Sequence, residues 1–253
     1  MILSVVPFAL FLGAYLTMAY LRHAEDPGDK VMPVLAQLWD GLVRAVTEGD
    51  RAGEIRLWAD TFASARRFAL AMAFVLTGVV LGVHMGVFPV IEATFHRFLT
   101  FFDKIPAVAV LPILFIVFGT DELSKVALIV IGAFPTVALD AHLRAREVPQ
   151  ELIHKAKTLG ASEFEIVYRV VFPQVLPRAL DTLRLNLKAA IALLLVAESI
   201  AARNGLGYQI FKVIRYFDMP LILVYVLWIA TLVFLLDWLV QAVIRRFYPW
   251  LNQ

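Results

Sequence analysis

Cysteine is absent from this sequence, and charged residues are few. Asp, Glu, Lys and Arg make up 17% of the 253 residues, whereas 61% are apolar. Without cysteine the chain can form neither a disulfide nor a thiolate metal site. Its five histidines show no HxxxH or HExxH spacing, so we predict no metal site. The net charge is only +2 and the basic residues are scattered, which argues against a nucleic acid partner.

Patterns typical of enzymes are also missing. The sequence G-x-x-x-x-G-K-[ST], whose loop cradles the phosphates of ATP, does not occur, so we expect that this chain does not hydrolyse ATP. A membrane-embedded enzyme would need acid, base and metal-binding groups that converge at one depth, and the ionisable residues of the apolar runs are scattered singly. We therefore do not expect an enzyme.

Long apolar runs are what the sequence has instead, and they predict an all-α integral membrane protein with about six transmembrane helices. The predicted spans are residues 2–21, 68–90, 105–119, 123–139, 179–200 and 221–244. Pro106 and Pro112 interrupt the third span. Gly78, Gly82 and Gly86 recur every fourth residue in the second span, a spacing that lets another helix approach closely in lipid.

We divide the chain at residue 67. Residues 1–67 hold the first span and a polar loop, and residues 68–253 hold the transmembrane core with a polar hairpin at about 144–177. The loop has apolar residues at helical spacing, namely Val34, Leu35, Leu38, Leu42 and Val46. They predict an amphipathic helix on the membrane surface, although a solvated helix within the loop fits the spacing equally well.

Basic residues concentrate at two places that six spans put on one side of the membrane. They are Arg144, Arg146, Lys155, Lys157, Arg169 and Arg178 in the hairpin region, with Arg245 and Arg246 near the C-terminus. Because basic residues favour the cytoplasmic side, we predict that the hairpin and both termini are cytoplasmic.

The stretch PQELIHKAKTLGASEFEIVYRVVFPQVLP, residues 149–177, has the pattern of two short helices. Pro149 suits a first helical position, and Gly160 suits a left-handed cap at the end of the first helix. Ser162 and Glu165 form the S-x-x-E of a capping box that starts the second helix. Spacing alone allows either a rigid knob that transmits force from a partner or a well-capped loop without one.

Apolar residues define one face on each short helix, and prolines follow the second. The predicted faces are Leu152, Ala156 and Leu159 on the first helix and Phe164, Val167 and Val171 on the second. Pro173 and Pro177 are predicted to end the second helix and to direct the chain into the membrane.

The same stretch resembles the characteristic cytoplasmic loop of the permeases of binding-protein-dependent ABC importers, written EAA---G---------I-LP. Ala156, Gly160, Val170 and Pro173 keep its shape, and TLGAS at 158–162 is especially similar to the branch that imports nitrate, bicarbonate, sulfonates and taurine. Two more segments are similar to that branch: DKIPAVAVLPILFIVFGTDELSK (103–125) and RLNLKAAIALLLVAESIAARNGLGYQI (184–210). The similarity covers about residues 60–253.

This resemblance implies a type I ABC importer permease fold and a transporter in which each subunit has a separate role. In that family two permease chains form the translocation pathway, two cytoplasmic ATPases bind ATP with Mg²⁺, and a periplasmic or lipid-anchored solute-binding protein delivers the solute. For this chain it implies a homodimeric permease of the bacterial cytoplasmic (inner) membrane that carries a small anionic solute, holds no cofactor and leaves ATP hydrolysis to its partner.

The resemblance also assigns a role to the hairpin. Its first helix, roughly residues 150–159, would be the coupling helix seated in a groove of the ATPase. The implied contact residues are Leu152, His154, Lys155, Ala156, Lys157, Thr158, Leu159, Gly160, Ala161 and Ser162. His154 and Lys155 depart from the pattern, which has Glu and Ala at these positions.

Ionisable residues within spans are functional candidates because each is costly in hydrocarbon. Of the ionisable residues in the fifth span, we assign Arg184, Lys188 and Glu198 to the translocation pathway. Lys188 lies about 16 Å along the helix from Pro177, a depth at which its ammonium could meet an anionic solute. The alternative for Lys188 is a buried ion pair with Asp140, Glu198 or Asp237.

Two further alternatives stay open. Residues 203–210, RNGLGYQI, predict an external tight turn that leads to a short helix, or else a plain connecting loop. The alternative function is an ATP-independent secondary transporter or channel, which would normally show inverted repeats or charged relays in several spans.

Overall fold

The computed structural model describes residues 2–26, 28, 29, 31–49 and 55–249, and their regular structure is helical apart from one isolated bridge between Gly49 and Ile55. This confirms the predicted all-α class. The helices are α1 (Ile2–Glu25), α2 (Leu35–Thr47), α3 (Arg56–Val87), α4 (Pro89–Asp103), α5 (Ala107–Phe118), α6 (Glu122–Arg146), α7 (Gln150–Thr158), α8 (Glu163–Glu165), α9 (Phe172–Ala201), α10 (Leu206–Ile214) and α11 (Met219–Phe247), with a π-helical segment, Ile166–Val171, between α8 and α9.

Three helices in the described part of the chain, α3, α6 and α11, are each long and apolar enough to cross a membrane. They coincide with the second, fourth and sixth predicted spans. Two bent helix pairs bring the count of candidate spans to five, and they coincide with the third and fifth predictions. Helix α1 forms at the place of the first predicted span but is not among these five candidates, so the first predicted span stays a prediction.

The third predicted span has a different form from the one expected. Helix α5 has 12 residues, about 18 Å at 1.5 Å per residue, which is too short for a hydrocarbon core of about 30 Å. It pairs instead with α4, and the two helices meet at an angle of 101°. The bend falls at Pro106, which lacks an N–H donor and disfavours helical geometry in the residue before it.

Charge placement explains where α6 begins and ends. Asp121 precedes its first turn, Glu122 lies within that turn, and Arg144 and Arg146 occupy the last turn. This arrangement matches the helix dipole, whose positive end favours acids and whose negative end favours bases. The apolar residues between these charged ends make α6 a candidate span.

The chain divides into two compact units. The first comprises Met1–Ala63 and Arg203–Thr231, and the second comprises Ser64–Ala202 and Leu232–Gln253. The predicted division at residue 67 stays a prediction.

The first unit contains the predicted amphipathic helix, which the structure confirms as helix α2. Its polar residue Arg44 donates two hydrogen bonds to the Asp218 carboxylate, at 2.7 and 3.1 Å. Partial burial works to raise the pKa of Asp218, but the hydrogen bonds from Arg44 and the Leu221 amide bring that pKa below its ordinary value. On α2, Leu35 and Trp39 remain exposed, as an interfacial helix requires, although a solvated helix stays possible.

The segment RNGLGYQI continues into α10, so the predicted short helix after the glycine turn is confirmed. Gly205, at the N-terminus of α10, has a φ of 120° and donates its amide to the Asp60 carboxylate at 2.8 Å. A turn in this backbone region favours glycine, which explains the glycine at this point of the chain.

In the second unit, the glycines of α3 allow close packing on α6, as their spacing predicts. A Cβ atom at Gly82 would clash with the Ala138 carbonyl oxygen and would lie 2.7 Å from the Ala141 Cβ. A Cβ at Gly86 would clash with the side chain of Ala145. The two backbones are therefore closer than any side chain at these positions permits.

We predict that Gly82→Ala destabilises the protein, because α3 and α6 must separate to admit the methyl group. Overpacking of this kind costs about 1–3 kcal/mol of the free energy of unfolding. Thermal unfolding of the detergent-solubilised chain should show a lower Tm. Gly13→Ala is the matched control, since nothing lies within 4 Å of a Cβ built there. Equal Tm values for the two variants would contradict the close contact.

Candidate functional site

The hairpin, defined here as residues 149–171, has its first turn fixed by backbone hydrogen bonds. Helix α7 ends in a Schellman motif, in which the Ala161 amide donates to the Ala156 carbonyl and the Gly160 amide to the Lys157 carbonyl, both at 3.0 Å. Gly160 has a φ of 85°, which confirms the predicted left-handed cap. Pro149 occupies the N-cap of α7, one position before the predicted one.

The second helix begins with the predicted capping box. The Glu165 amide donates to Ser162 Oγ at 3.3 Å, and the Ser162 amide donates to Glu165 Oε2 at 3.1 Å. These reciprocal bonds satisfy backbone donors that the start of a helix leaves free. The Schellman motif and the capping box are adjacent, so the turn between the two helices has a defined angle.

The predicted end of the second helix at Pro173 and Pro177 is wrong. The chain continues from Glu163 to Ala201 as one helical segment, because a π-helical turn, Ile166–Val171, leads directly into α9. Pro173 lies at the start of α9, where a missing N–H is tolerated, and Pro177 lies within it. The hairpin is therefore continuous with a helix of the transmembrane core.

The apolar face that α7 turns towards its own chain differs from the predicted one. Ile153 and Ala156 are half-buried against the hydrophobic core of the second unit. Leu152 is 42% exposed and Leu159 is 81% exposed. Of the predicted face, only Ala156 packs inward, and Ile153 takes the place assigned to its neighbour Leu152.

The second helix shows a similar difference, and the π turn is its cause. Ile166, Val167 and Val171 are buried, while Phe164 is 69% exposed and lies against Tyr168 in a tilted ring arrangement with centroids 4.5 Å apart. A π turn accommodates an additional residue, so the residues before it point in a direction that a regular α-helix does not predict. Phe164 therefore leaves the face that Val167 and Val171 share.

Ion pairs at the base of the hairpin connect α6 to α9. Glu147 accepts hydrogen bonds from Arg144 at 3.3 Å and from Arg178 at 3.0 Å. Asp140 accepts a hydrogen bond from Thr182 at 2.7 Å. Sequence analysis did not identify this network, although Glu147 stands out as an acid within a basic loop.

Most of the ten residues expected to contact an ATPase are exposed. Ala156 and Ala161 are half-buried, and the other eight are exposed. These eight include two leucines, three basic or titratable side chains and the cap glycine: Leu152, His154, Lys155, Lys157, Thr158, Leu159, Gly160 and Ser162. Their contact with a partner stays a prediction.

Of the three candidates for the pathway, Glu198 lies in a buried ionic cluster of the second unit. Its carboxylate accepts hydrogen bonds from Arg67 Nη1 at 2.6 Å and from Ser64 Oγ at 2.7 Å. Arg67 also donates to both carboxylate oxygens of Glu122, at 2.6 and 2.7 Å. The side chains of Arg67 and Glu198 are 3% and 0% exposed. Sequence analysis did not identify Arg67 or Glu122, although each directly precedes a predicted span.

The other two candidates have different surroundings. Arg184 forms ion pairs with Asp181 at 3.1 Å and with Asp237 at 3.6 Å. Lys188 is exposed and has no hydrogen bond or ion pair with any residue that the structure describes. The alternative of an ion pair between Lys188 and Asp140, Glu198 or Asp237 is therefore not seen among the described residues.

We predict that Glu198→Ala destabilises the chain strongly, because it leaves the buried Arg67 guanidinium without one of its two carboxylates. Breaking a buried pair costs about 3–5 kcal/mol of the free energy of unfolding. The double variant Arg67→Ala/Glu198→Ala should lose less stability than the sum of the two single variants. The measurement is a double-mutant cycle on Tm in detergent, with the exposed Glu163→Ala as control. Additive losses would contradict direct coupling.

Comparison with known proteins finds a matching family model and several related proteins. A family model described as "Binding-protein-dependent transport system inner membrane component" matches residues 74–248. The taurine transport system permease protein TauC of Escherichia coli is 34% identical over 195 residues, which cover 77% of this chain and 71% of that one. A "Probable ABC transporter permease protein" of Brucella melitensis is 32% identical over 256 residues, 98% of this chain and 96% of that one.

A solved structure supports the fold independently. A chain of the MetNI methionine ABC transporter, in an inward facing conformation, superposes with a TM-score of 0.64 at 20% sequence identity. The match covers 85% of the present chain and 99% of that one. At this identity the likeness concerns the fold alone, and it confirms the predicted permease fold.

Proposed function

Because the chain belongs to the family of binding-protein-dependent transport system inner membrane components, we propose that it is the permease subunit of an ATP-driven importer. Two copies of the chain would form the translocation pathway, and a solute-binding protein would deliver the solute from outside. Two ATPase subunits would bind ATP and Mg²⁺ and hydrolyse the ATP, while this chain would hold no cofactor.

The observation that carries this proposal is the continuity of the hairpin with α9. A soluble motor can act on a membrane helix only through an element that leaves the bilayer and moves together with that helix. Two capping motifs fix the turn of the hairpin, and the second helix of the hairpin is the beginning of the Glu163–Ala201 helical segment. A displacement of the hairpin would therefore be transmitted along α9.

The surface of the hairpin is suited to a protein partner. Leu159 and Phe164 lie on either side of the turn and are exposed, although apolar side chains of this size gain free energy when they are buried. On this proposal, α7 sits in a groove of the ATPase, and ATP-driven closure of the ATPase dimer tilts α9 and its neighbours. The switch is then a two-state mechanical element biased by ATP.

We assign the chain to the cytoplasmic (inner) membrane of a bacterium, with its N- and C-termini and the hairpin on the cytoplasmic side. The basic residues around the hairpin and in the last turn of α11 support this orientation. Helix α10 and the turn before it would then lie on the outer side, where a solute-binding protein docks.

The solute we propose is a small organic or inorganic anion, and a sulfonate is our first choice. The similarity to TauC, whose name specifies taurine, supports this choice, since taurine carries a sulfonate group. The binding protein would make most of the selection before the solute reaches the permease. The family match gives no support to the alternative of an ATP-independent transporter or channel.

We predict that Gly160→Val abolishes most ATP-driven uptake. A β-branched residue at a φ of 85° is strained, so the Schellman motif and the angle of the hairpin are lost. The measurement is taurine uptake into proteoliposomes that contain the chain with its ATPase and binding protein. Gly160→Asn is the control, because asparagine tolerates the left-handed region and no atom lies within 4 Å of a Cβ at this position. Normal uptake by the valine variant would show that the hairpin does not couple ATP to transport.

We also predict that Leu159→Asp and Phe164→Asp weaken co-purification with the ATPase. Both side chains are exposed, so a carboxylate should leave the Tm of the isolated chain almost unchanged while it disrupts an apolar contact. The measurement is the amount of ATPase that a tagged chain retains in mild detergent. Val31→Asp, at an exposed apolar residue on the proposed outer side, should retain the wild-type amount. Full retention by both hairpin variants would contradict the assigned surface.

A further inference from the structure

One face of α9 is buried within its own chain, and the opposite face is not. The buried residues recur at helical spacing and include Ala179, Leu183, Leu187, Ala190, Leu194 and Ala197. The opposite face presents Asp181, Leu185, Lys188 and Ala192, all exposed, at spacings of four, three and four residues. We call these four residues the α9 stripe. The second unit of this chain therefore does not cover the α9 stripe, which is left accessible to solvent, solute or another chain.

Lys188 lies near the middle of α9. It is 16 residues from Phe172 and 13 from Ala201, or about 24 and 20 Å along the helix at 1.5 Å per residue. An ammonium group at that depth is costly in hydrocarbon, so the α9 stripe faces water or protein rather than lipid.

No acid in the described part of the chain forms an ion pair with Lys188. Asp140 accepts a hydrogen bond from Thr182, and Asp181 and Asp237 pair with Arg184. Glu198 is enclosed by Arg67 and Ser64 on another side of the helix. The charge that balances Lys188 therefore comes from outside this chain.

The neighbours of Lys188 leave room around its ammonium group. Ala189 and Ala192 are exposed and small, and Leu185 is the largest apolar side chain of the α9 stripe. The second cation of the helix, Arg184, is already held by two carboxylates. Of the two cationic candidates, Lys188 is the one without an ion pair to a described residue.

We propose that Lys188 is the anion-contact residue of the translocation pathway and that its ammonium binds the sulfonate, or a similar monoanionic oxyanion, of the passing solute. The proposal rests on the proposed importer function and adds the residue that recognises the solute within the membrane. Two copies of the chain would place two such ammonium groups along one path. Charge-assisted hydrogen bonds of this kind are stronger than neutral ones, so the loss of Lys188 should affect transport measurably.

The absence of cysteine from the chain allows a direct test with the single-cysteine variant Lys188→Cys. The reagent 2-aminoethyl methanethiosulfonate converts this cysteine into a lysine-like cation, whereas 2-sulfonatoethyl methanethiosulfonate gives an anion of similar size. The probes are labelled taurine and ethanesulfonate, taken up into proteoliposomes that contain the whole transporter. Lys188→Arg and Leu185→Cys, the latter one turn away on the α9 stripe, are the controls.

We expect uptake by Lys188→Cys to fall roughly ten- to hundredfold, the loss that corresponds to one hydrogen bond to a charged group. Aminoethylation should restore most of the uptake and sulfonatoethylation should not. Lys188→Arg, which keeps the positive charge, should retain more uptake than unmodified Lys188→Cys, and aminoethylation of Leu185→Cys should not increase uptake.

Three results would overturn the proposal: normal uptake by Lys188→Cys, equal rescue by both reagents, or a loss of folded protein that neither reagent corrects. The last result is the one expected if Lys188 pairs with an acid of the second copy. If the wild-type transporter carries neither probe, the proposed solute is wrong. In that case labelling decides the proposal for Lys188. If neither water-soluble reagent modifies Lys188→Cys, the residue does not face an aqueous path, and the proposal for Lys188 is overturned.

Discussion

The hydrogen bond from the Phe172 amide to the Val167 carbonyl continues the helix through a region where prolines were expected to end it. This bond spans five residues, as a π turn requires, and it delivers Pro173 to the start of α9, where its missing donor is tolerated. Through this turn, the second short helix and α9 form one continuous helical segment, Glu163–Ala201.

The positions of ionisable groups follow a second constraint, the cost of charge in an apolar medium. Arg67 and Glu198 meet this constraint because they pair with each other and are almost fully buried. Arg184 meets it through ion pairs with Asp181 on α9 and with Asp237 on α11. Lys188 does not satisfy it within the described chain. Our proposal for Lys188 rests on this difference.

Much of this structure could be predicted from local sequence. The helical class, the Schellman glycine, the capping box and the glycine contact between α3 and α6 depend on residues close in sequence or on one repeated spacing. Periodicity did not reveal the π turn or the direction of Phe164, because it assumes a regular α-helix. Pro106 marked an interruption in the sequence, but the 101° angle between α4 and α5 did not follow from that residue. The pairing of Arg67 with Glu198, which are 131 positions apart, likewise requires the fold. The family resemblance supplied the candidate partners, which neither composition nor spacing contains.

The central claim is that the hairpin and α9 move as one rigid body when the ATPase works. Spin labels on Leu159→Cys and Ile200→Cys, both exposed side chains in a chain without native cysteine, would report the distance between the tip of the hairpin and the far end of α9. Labelled chain diluted into an excess of unlabelled chain gives the distance within one copy. Our account predicts the same distance distribution with and without ATP bound to the assembled transporter. A distribution that shifts or broadens on ATP binding would locate a hinge at the π turn or the prolines and would contradict the account.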